Sequence, residues 1–311
     1  MNITLDDEQT QHIFLTLVES LEGGKPLPTK ILVTYLRHPQ DSIRRLAIEL
    51  LEYGNDPAAI PALLQAAADA NIEVSLSASE VLRSFRNPSA VKHLIEGLRH
   101  PAPETRLAAV LALRERRAPD AVKGLLRNLR DVESEVRREA VIALAHYRNH
   151  DLLPALRSAL RDTSSAVRKV TVTAVAEFDG ALVFDDLVAA LSDENWQVRR
   201  EAATALGRFP GQAAEAALRD TLNDSAWQVA REAALSLSRL QAGDDERLAG
   251  LLSHEVADLR AAAAAALGES RNPGWIDRLE PLLNDPDTGV QKSARRAIER
   301  LASVKHQTTH S

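Results

Sequence analysis

Asp193-Glu194-Asn195-Trp196-Gln197-Val198-Arg199-Arg200-Glu201-Ala202-Ala203-Thr204-Ala205-Leu206-Gly207 is one copy of a phrase that this chain writes nine times. From Val198 the small or apolar residues fall at Ala202, Ala205 and Leu206, the spacing of a helix with one apolar face. Counted from the residue equivalent to Val198, the copies stand at Ile43, Val74, Thr105, Val136, Val167, Val198, Val229, Leu259 and Val290. Seven of the eight intervals are 31 residues, and the one from Val229 to Leu259 is 30. A fixed period of that length marks a stack of short repeats, because each unit is too small to bury its own apolar face and closes it against the next.

Each unit reads as two helices. Val122, Leu125, Leu126 and Leu129 lie on one side of a first helix; after the acidic turn at Asp131, Val136, Ala140, Ala143, Leu144 and Tyr147 line a second. Pro and Gly punctuate the joints, as at Asn87-Pro88, Pro210-Gly211 and Pro273-Gly274. The period therefore predicts an all-α superhelical solenoid of about nine two-helix repeats over residues 26–303. A capping helix is expected within 1–25, with Ile13, Leu15, Leu17, Val18 and Leu21 as its apolar positions, and a disordered tail over 304–311.

The columns of the repeat assign most residues to structure. Four past the anchor is a small residue such as Ala140 or Ala202, and eight past it a core residue such as Leu144 or Leu206. Five before it stands an aspartate, including Asp131, Asp162, Asp193 and Asp224, or one of His38, His100 and His254. One past it stands an arginine, including Arg137, Arg168 and Arg199. An aspartate there suits a helix cap and an ion pair with the arginine of its own or the adjoining unit, a ladder stitching the stack.

The phrase D-x-x-x-x-V-R-x-x-A-x-x-A-L-G, nearly complete in Asp193–Gly207, resembles HEAT repeats of the short type found in phycobilisome bilin lyases. That resemblance implies an armadillo-like α-solenoid. It leaves function open, since proteins with such repeats include bilin lyase subunits, an iron-dependent lysine hydroxylase, alkylpurine DNA glycosylase-like proteins and many scaffolds.

Composition narrows the choice. The 311 residues contain no cysteine, which removes disulfides, thiolate metal sites and cysteine nucleophiles. A net charge of −6 gives no basic footprint for nucleic acid, and nucleic acid is not expected as a partner. The acidic start and the lack of an 18-residue apolar run predict a cytoplasmic chain with no membrane association. No P-loop, dinucleotide fingerprint, nucleophile elbow or H-E-x-x-H occurs, and the hydroxylase's repeated His-Glu pairs reduce here to His254-Glu255. We therefore expect no catalytic residues, no metal, no cofactor and no enzyme.

What departs from the repeat reads as binding surface. Two past the anchor, Arg138, Lys169, Arg200 and Arg231 form a basic row in four consecutive units. Six past it, Leu111, Ile142 and Leu235 give an apolar centre, and nine past it Ala145, Ala176, Gly207, Ser238 and Gly268 read as a floor of small residues. Trp196 and Trp227 recur two before the anchor, where a turn residue is ordinary. An apolar floor beside a basic row predicts a groove on the concave face for another protein, presenting an extended or helical, acidic segment to a monomeric scaffold, adaptor or assembly chaperone.

Overall fold

In a computed structural model, residues 28–308 are described, together with positions 12, 15, 16, 19 and 23. The capping helix expected within 1–25 falls almost wholly outside the described residues. The chain divides into two compact units, Met1–Ala155 and Leu156–Ser311, a division that the uniform period does not announce.

In the first unit the helix pairs are α1 (Thr29–Tyr35) with α2 (Asp41–Gly54), α3 (Ile60–Ala66) with α4 (Ile72–Ser84), α5 (Ala90–Gly97) with α6 (Pro103–Arg116), and α7 (Val122–Asn128) with α8 (Ser134–Ala145). The division falls inside α9 (Leu153–Ala159). In the second unit follow α10 (Ser165–Val175), α11 (Gly180–Ala190) with α12 (Trp196–Leu206), α13 (Gln212–Thr221) with α14 (Trp227–Arg239), α15 (Glu246–Leu251) with α16 (Ala257–Gly268), and α17 (Ile276–Leu279) with α18 (Thr288–Thr308). This is the all-α helix-pair solenoid that the period predicts. The last helix continues to Thr308, into the stretch expected as a tail.

The columns explain why the pairs stack. All nine anchors are buried, from Ile43 to Val290, and so is every residue four past them, from Ala47 to Ala294. Where the anchor is Thr105, its hydroxyl donates to Leu64 O at 2.8 Å, so the buried polar group is satisfied. Small residues are also needed nine past the anchor, where consecutive second helices touch: a Cβ on Gly268 would stand 2.7 Å from Ala297 Cβ. Gly207 is closed off in the same way by Ser236 on the next helix, at 2.6 Å. At Gly207 and Gly268 the floor expected from sequence is therefore a helix–helix contact, while Ala176 is buried and Ala145 and Ser238 are half-buried.

Between repeats runs a chain of arginines. Arg168 Nη1 donates to Asp162 O at 2.8 Å in its own turn, while its Nε and Nη2 clamp the Asp193 carboxylate of the next turn at 2.7 and 2.8 Å. Arg199 repeats this with Asp193 O and Asp224, and Arg260 with His254 O and Asp285. In the first unit Arg44 reaches Asp69 and Arg106 reaches Asp131, while Arg137 Nη1 donates to Asp131 O at 2.8 Å. Each aspartate also accepts the N–H two residues on, such as Asn195 N at 2.8 Å to Asp193. It thus fastens the turn rather than capping the helix. The second helices are capped elsewhere, for example by the Asn71 and Asn195 side chains, because the N-cap lies two residues past the aspartate.

These side chains are nearly out of water: Arg168 and Asp193 retain 8% and 11% exposure. Burial pushes the carboxyls of Asp131, Asp193 and Asp224 upward, but the guanidinium and turn N–H bonds outweigh it and hold them below the ordinary carboxylate range. Asp285 is held low chiefly by its bond from Arg260. Arg106, Arg168, Arg199 and Arg260 are correspondingly raised by their carboxylate partners.

Asp193→Ala, which strands the Arg168 guanidinium, is expected to lower stability by about 3 kcal/mol in urea denaturation. A carboxyl whose folded pKa lies below its unfolded value stabilises above the unfolded value near 4 and loses that contribution as pH falls through the folded one. The melting temperature should therefore hold from neutral pH to about 5 and fall below about 4. Arg168→Met should make that acid-side fall shallower, because Asp193 then titrates near its unfolded value. At the ends of second helices, Arg117 adopts a left-handed backbone at φ 47° with a side chain that costs Cβ strain. Arg117→Gly is expected to raise stability by about 1 kcal/mol in the same assay.

Candidate functional site

Trp196 and Trp227 open α12 and α14 as their first residues, each half-buried. They sit on helix, one turn before the row residue of their own repeat, and not in the turns where sequence placed them. The Arg200 guanidinium carbon lies 5.5 Å from the Trp196 ring centroid, an i,i+4 cation–π pair. In the next repeat Arg231 turns instead toward Asp258 on α16, 3.8 Å away.

The basic row is therefore not a uniform track. In the first unit Arg138 is held by Glu139 at 2.9 Å and Glu135 at 3.4 Å, and the buried Glu139 also takes Arg114 at 2.8 Å. In the second unit, Lys169 makes no ion pair among the described residues. Glutamates beside the row are engaged as well: Glu201 accepts the Thr173 hydroxyl at 2.9 Å, and Glu232 pairs with Arg239 at 3.1 Å. Extended charged side chains on stacked helices reach one helix over, so the row is partly neutralised by its neighbours in ways a single repeat cannot show.

Leu111 and Ile142 in the first unit and Leu235 in the second are half-buried on their second helices. The second unit thus presents Trp196, Arg200, Arg231 and Leu235 on neighbouring helices α12 and α14, with Lys169 one helix earlier on α10. In the first unit the row carries apolar residues earlier in the chain: Leu76 on α4 is exposed, as is Ile72 one turn before it. The third tryptophan, Trp275, is buried, and its indole N–H donates to Asp244 at 2.8 Å.

The ladder aspartates Asp131, Asp162, Asp193 and Asp224 lie in the turns between the two helices of a repeat, and Arg137, Arg168 and Arg199 lie in the first turn of the second helices. Their polar atoms are given to the stack. The histidines of the same column do the turn work of an aspartate, since Nδ1 of His38, His100 and His254 accepts the N–H of Gln40, Ala102 and Val256 at 3.2, 3.2 and 3.1 Å. Burial lowers His38 further from its ordinary pKa. Among the described residues no group of three or more His, Asp and Glu is arranged to hold a metal, and no helix is long and apolar enough to cross a membrane.

One feature of the molecule escaped sequence reasoning. A cavity of about 300 Å³ opens in the second unit, lined by Asp224, Ser225, Trp227, Ala230, His254 and Glu255 among others. Its signal was present in two columns: Ala230 replaces the ladder arginine and His254 replaces the aspartate that the arginine would clamp.

Known structures are similar to this chain to different degrees. A crystal structure of an engineered protein is 22% identical, over 92% of this chain and 90% of that chain, with a TM-score of 0.50. A chain of the structure in which Kap95p binding induces the switch loops of RanGDP to adopt the GTP-bound conformation is 14% identical, with a TM-score of 0.63; the match covers 94% of this chain and 47% of that chain. Human deoxyhypusine hydroxylase is 21% identical over 81% of this chain and 99% of that chain, with a TM-score of only 0.35. No curated protein matches the sequence. HEAT repeats match residues 29–114, 62–145, 91–176, 184–254 and 245–308. With repeats recognised over most of its length and helix pairs stacked through their arginine ladder, the chain belongs to the HEAT-repeat family.

Proposed function

We propose that this protein is a non-catalytic scaffold or assembly adaptor that docks an extended or helical, acidic segment of another protein on the second helices of its C-terminal unit. The observation that carries the reading is the combination on α12 and α14 of Trp196, Arg200, Arg231 and Leu235, with Lys169 on α10. Half-exposed aromatic, arginine and leucine side chains on adjoining rigid helices supply contact area at low entropic cost, and the cations orient an acidic partner. A HEAT-repeat fold seen in a structure where Kap95p binds RanGDP is consistent with a protein partner.

The charged groups that would compete with binding are already committed. Ladder carboxylates and arginines are tied to one another, and Arg138 is engaged by two glutamates, which speaks against a phosphate track. The resemblance of the repeat phrase to that of bilin lyases supplies the other reading, and absorbance of the purified protein decides it: a co-purified tetrapyrrole favours the lyase.

For the preferred reading, partners captured from the native host by the wild-type chain are compared with those captured by Trp196→Ala, Lys169→Glu and Leu235→Asp. Each substitution is expected to reduce retention about tenfold or more. Lys169→Glu should do so without changing the melting temperature, because its ammonium is in no ion pair of the fold. Full retention by all three, with circular dichroism unchanged, places the partner elsewhere.

A further inference from the structure

The cavity beside Trp227 lies at a rung where the ladder position offers no side-chain donor at all. Along the column one past the anchor, six positions are arginine, and each sends Nη1 to the two carbonyls of its own turn, as Arg199 does to Asp193 O at 2.8 Å and Glu194 O at 3.2 Å. The other three differ. Ser75 gives its hydroxyl to Ala67 O at 2.6 Å, and Gln291 at the end of the stack gives Nε2 to Asp285 O at 2.7 Å. Ala230 has only a methyl group. The carbonyls equivalent to those that Arg199 holds, Asp224 O and Ser225 O, have no side-chain donor from this column.

The rest of the rung is in place without its cation. His254 stands where the clamped aspartate would be, and its Nδ1 accepts the Val256 N–H, so it keeps the turn without leaving a bare carboxylate. Glu255 corresponds to Glu194, whose carboxylate receives Arg168 Nη2 at 3.0 Å two rungs earlier in the same unit. Glu255 is exposed and makes no ion pair among the described residues. Trp227 adds an indole to the wall; the equivalent Trp196 carries the Arg200 guanidinium at 5.5 Å, whereas the counterpart of Arg200 beside Trp227, Arg231, turns to Asp258 at 3.8 Å and leaves this indole without its own cation. Of the other cations nearby, Arg199 is bound to Asp224, and Arg260 is bound to the carbonyls of His254 and Glu255 and to Asp285.

We propose that this vacant rung is a binding site for a guanidinium cation supplied in trans, which takes the place of the missing arginine between the carbonyls of Asp224 and Ser225 and the carboxylate of Glu255, against Trp227. A planar fork of donors matches two carbonyls and a carboxylate where a lysine ammonium does not, and it stacks on an indole. The cavity is large enough for the group, and Leu222, Leu251 and Leu259 supply the apolar part of its lining. The site does not rest on the docking face: Leu235→Asp leaves it intact, so the two readings fail separately.

The test is a titration of the full chain followed by the indole N–H resonance of Trp227, identified by its loss in Trp227→Phe. The probes are N-acetylarginine amide, which mimics an arginine within a partner protein, agmatine as a free small cation, and N-acetyllysine amide as a control. Saturable shifts are expected for the guanidinium compounds, about tenfold weaker for the lysine compound. The tighter of the two guanidinium probes identifies whether a protein side chain or a free metabolite is the source. Ala230→Arg, which supplies the group in cis, should abolish the response and raise the melting temperature, and Glu255→Gln should weaken binding about tenfold. No shift with either guanidinium probe, or an undiminished shift in both Ala230→Arg and Glu255→Gln, overturns the assignment.

Discussion

A guanidinium held between the turn carbonyls of one repeat and the turn carboxylate of the next is the contact on which this structure depends. Arg168, Arg199 and Arg260 do this in the second unit, Arg44 and Arg106 in the first, always to an aspartate 25 residues ahead. Apolar faces pull helices together without direction, whereas a planar five-donor fork fixes one orientation and one spacing. Lysine could supply the charge but not the geometry. The 31-residue period is thus a mechanical requirement: each turn must present both its carbonyls and its carboxylate at the correct reach of an arginine stem.

That commitment shapes what is left for function. A carboxylate held low by a nearly buried guanidinium is a poor proton donor or acceptor near neutral pH, and a guanidinium so clamped offers nothing to a ligand. The most regular charged residues of the chain are therefore the least available. The docking proposed for this protein draws on side chains that the ladder does not use: Trp196 with Arg200, Lys169, and Leu235 on the second helices. Even there, neighbouring repeats intervene, as Glu139 does for Arg138 and Arg114.

Interruptions in the ladder follow an electrostatic rule. His100 follows the repeat whose arginine is replaced by Ser75, and His254 follows the one carrying Ala230. An aspartate left in either place would be a partly buried carboxylate without its guanidinium, a costly arrangement. Histidine accepts the same turn N–H through Nδ1 and carries no obligatory charge. Gln291 keeps the carbonyl bond of the ladder position through its amide, which donates to Asp285 O.

The helix pairs, their buried anchors and the small residues four positions on were legible from the sequence, because periodicity and side-chain size are properties of each residue in its own repeat. So was the identity of the ladder residues, though not its direction: an aspartate two residues before the N-cap could serve either repeat, and only the stacked turns show that it serves the arginine of the preceding one. Two residues of the expected floor of small side chains lie instead in helix contacts, for a related reason. Gly207 and Gly268 look alike in an open groove and in a tight helix contact until Ser236 and Ala297 are brought against them. Column by column, the sequence determined which residues face the core; what each polar group meets was decided by tertiary structure, since its partner belongs to another repeat.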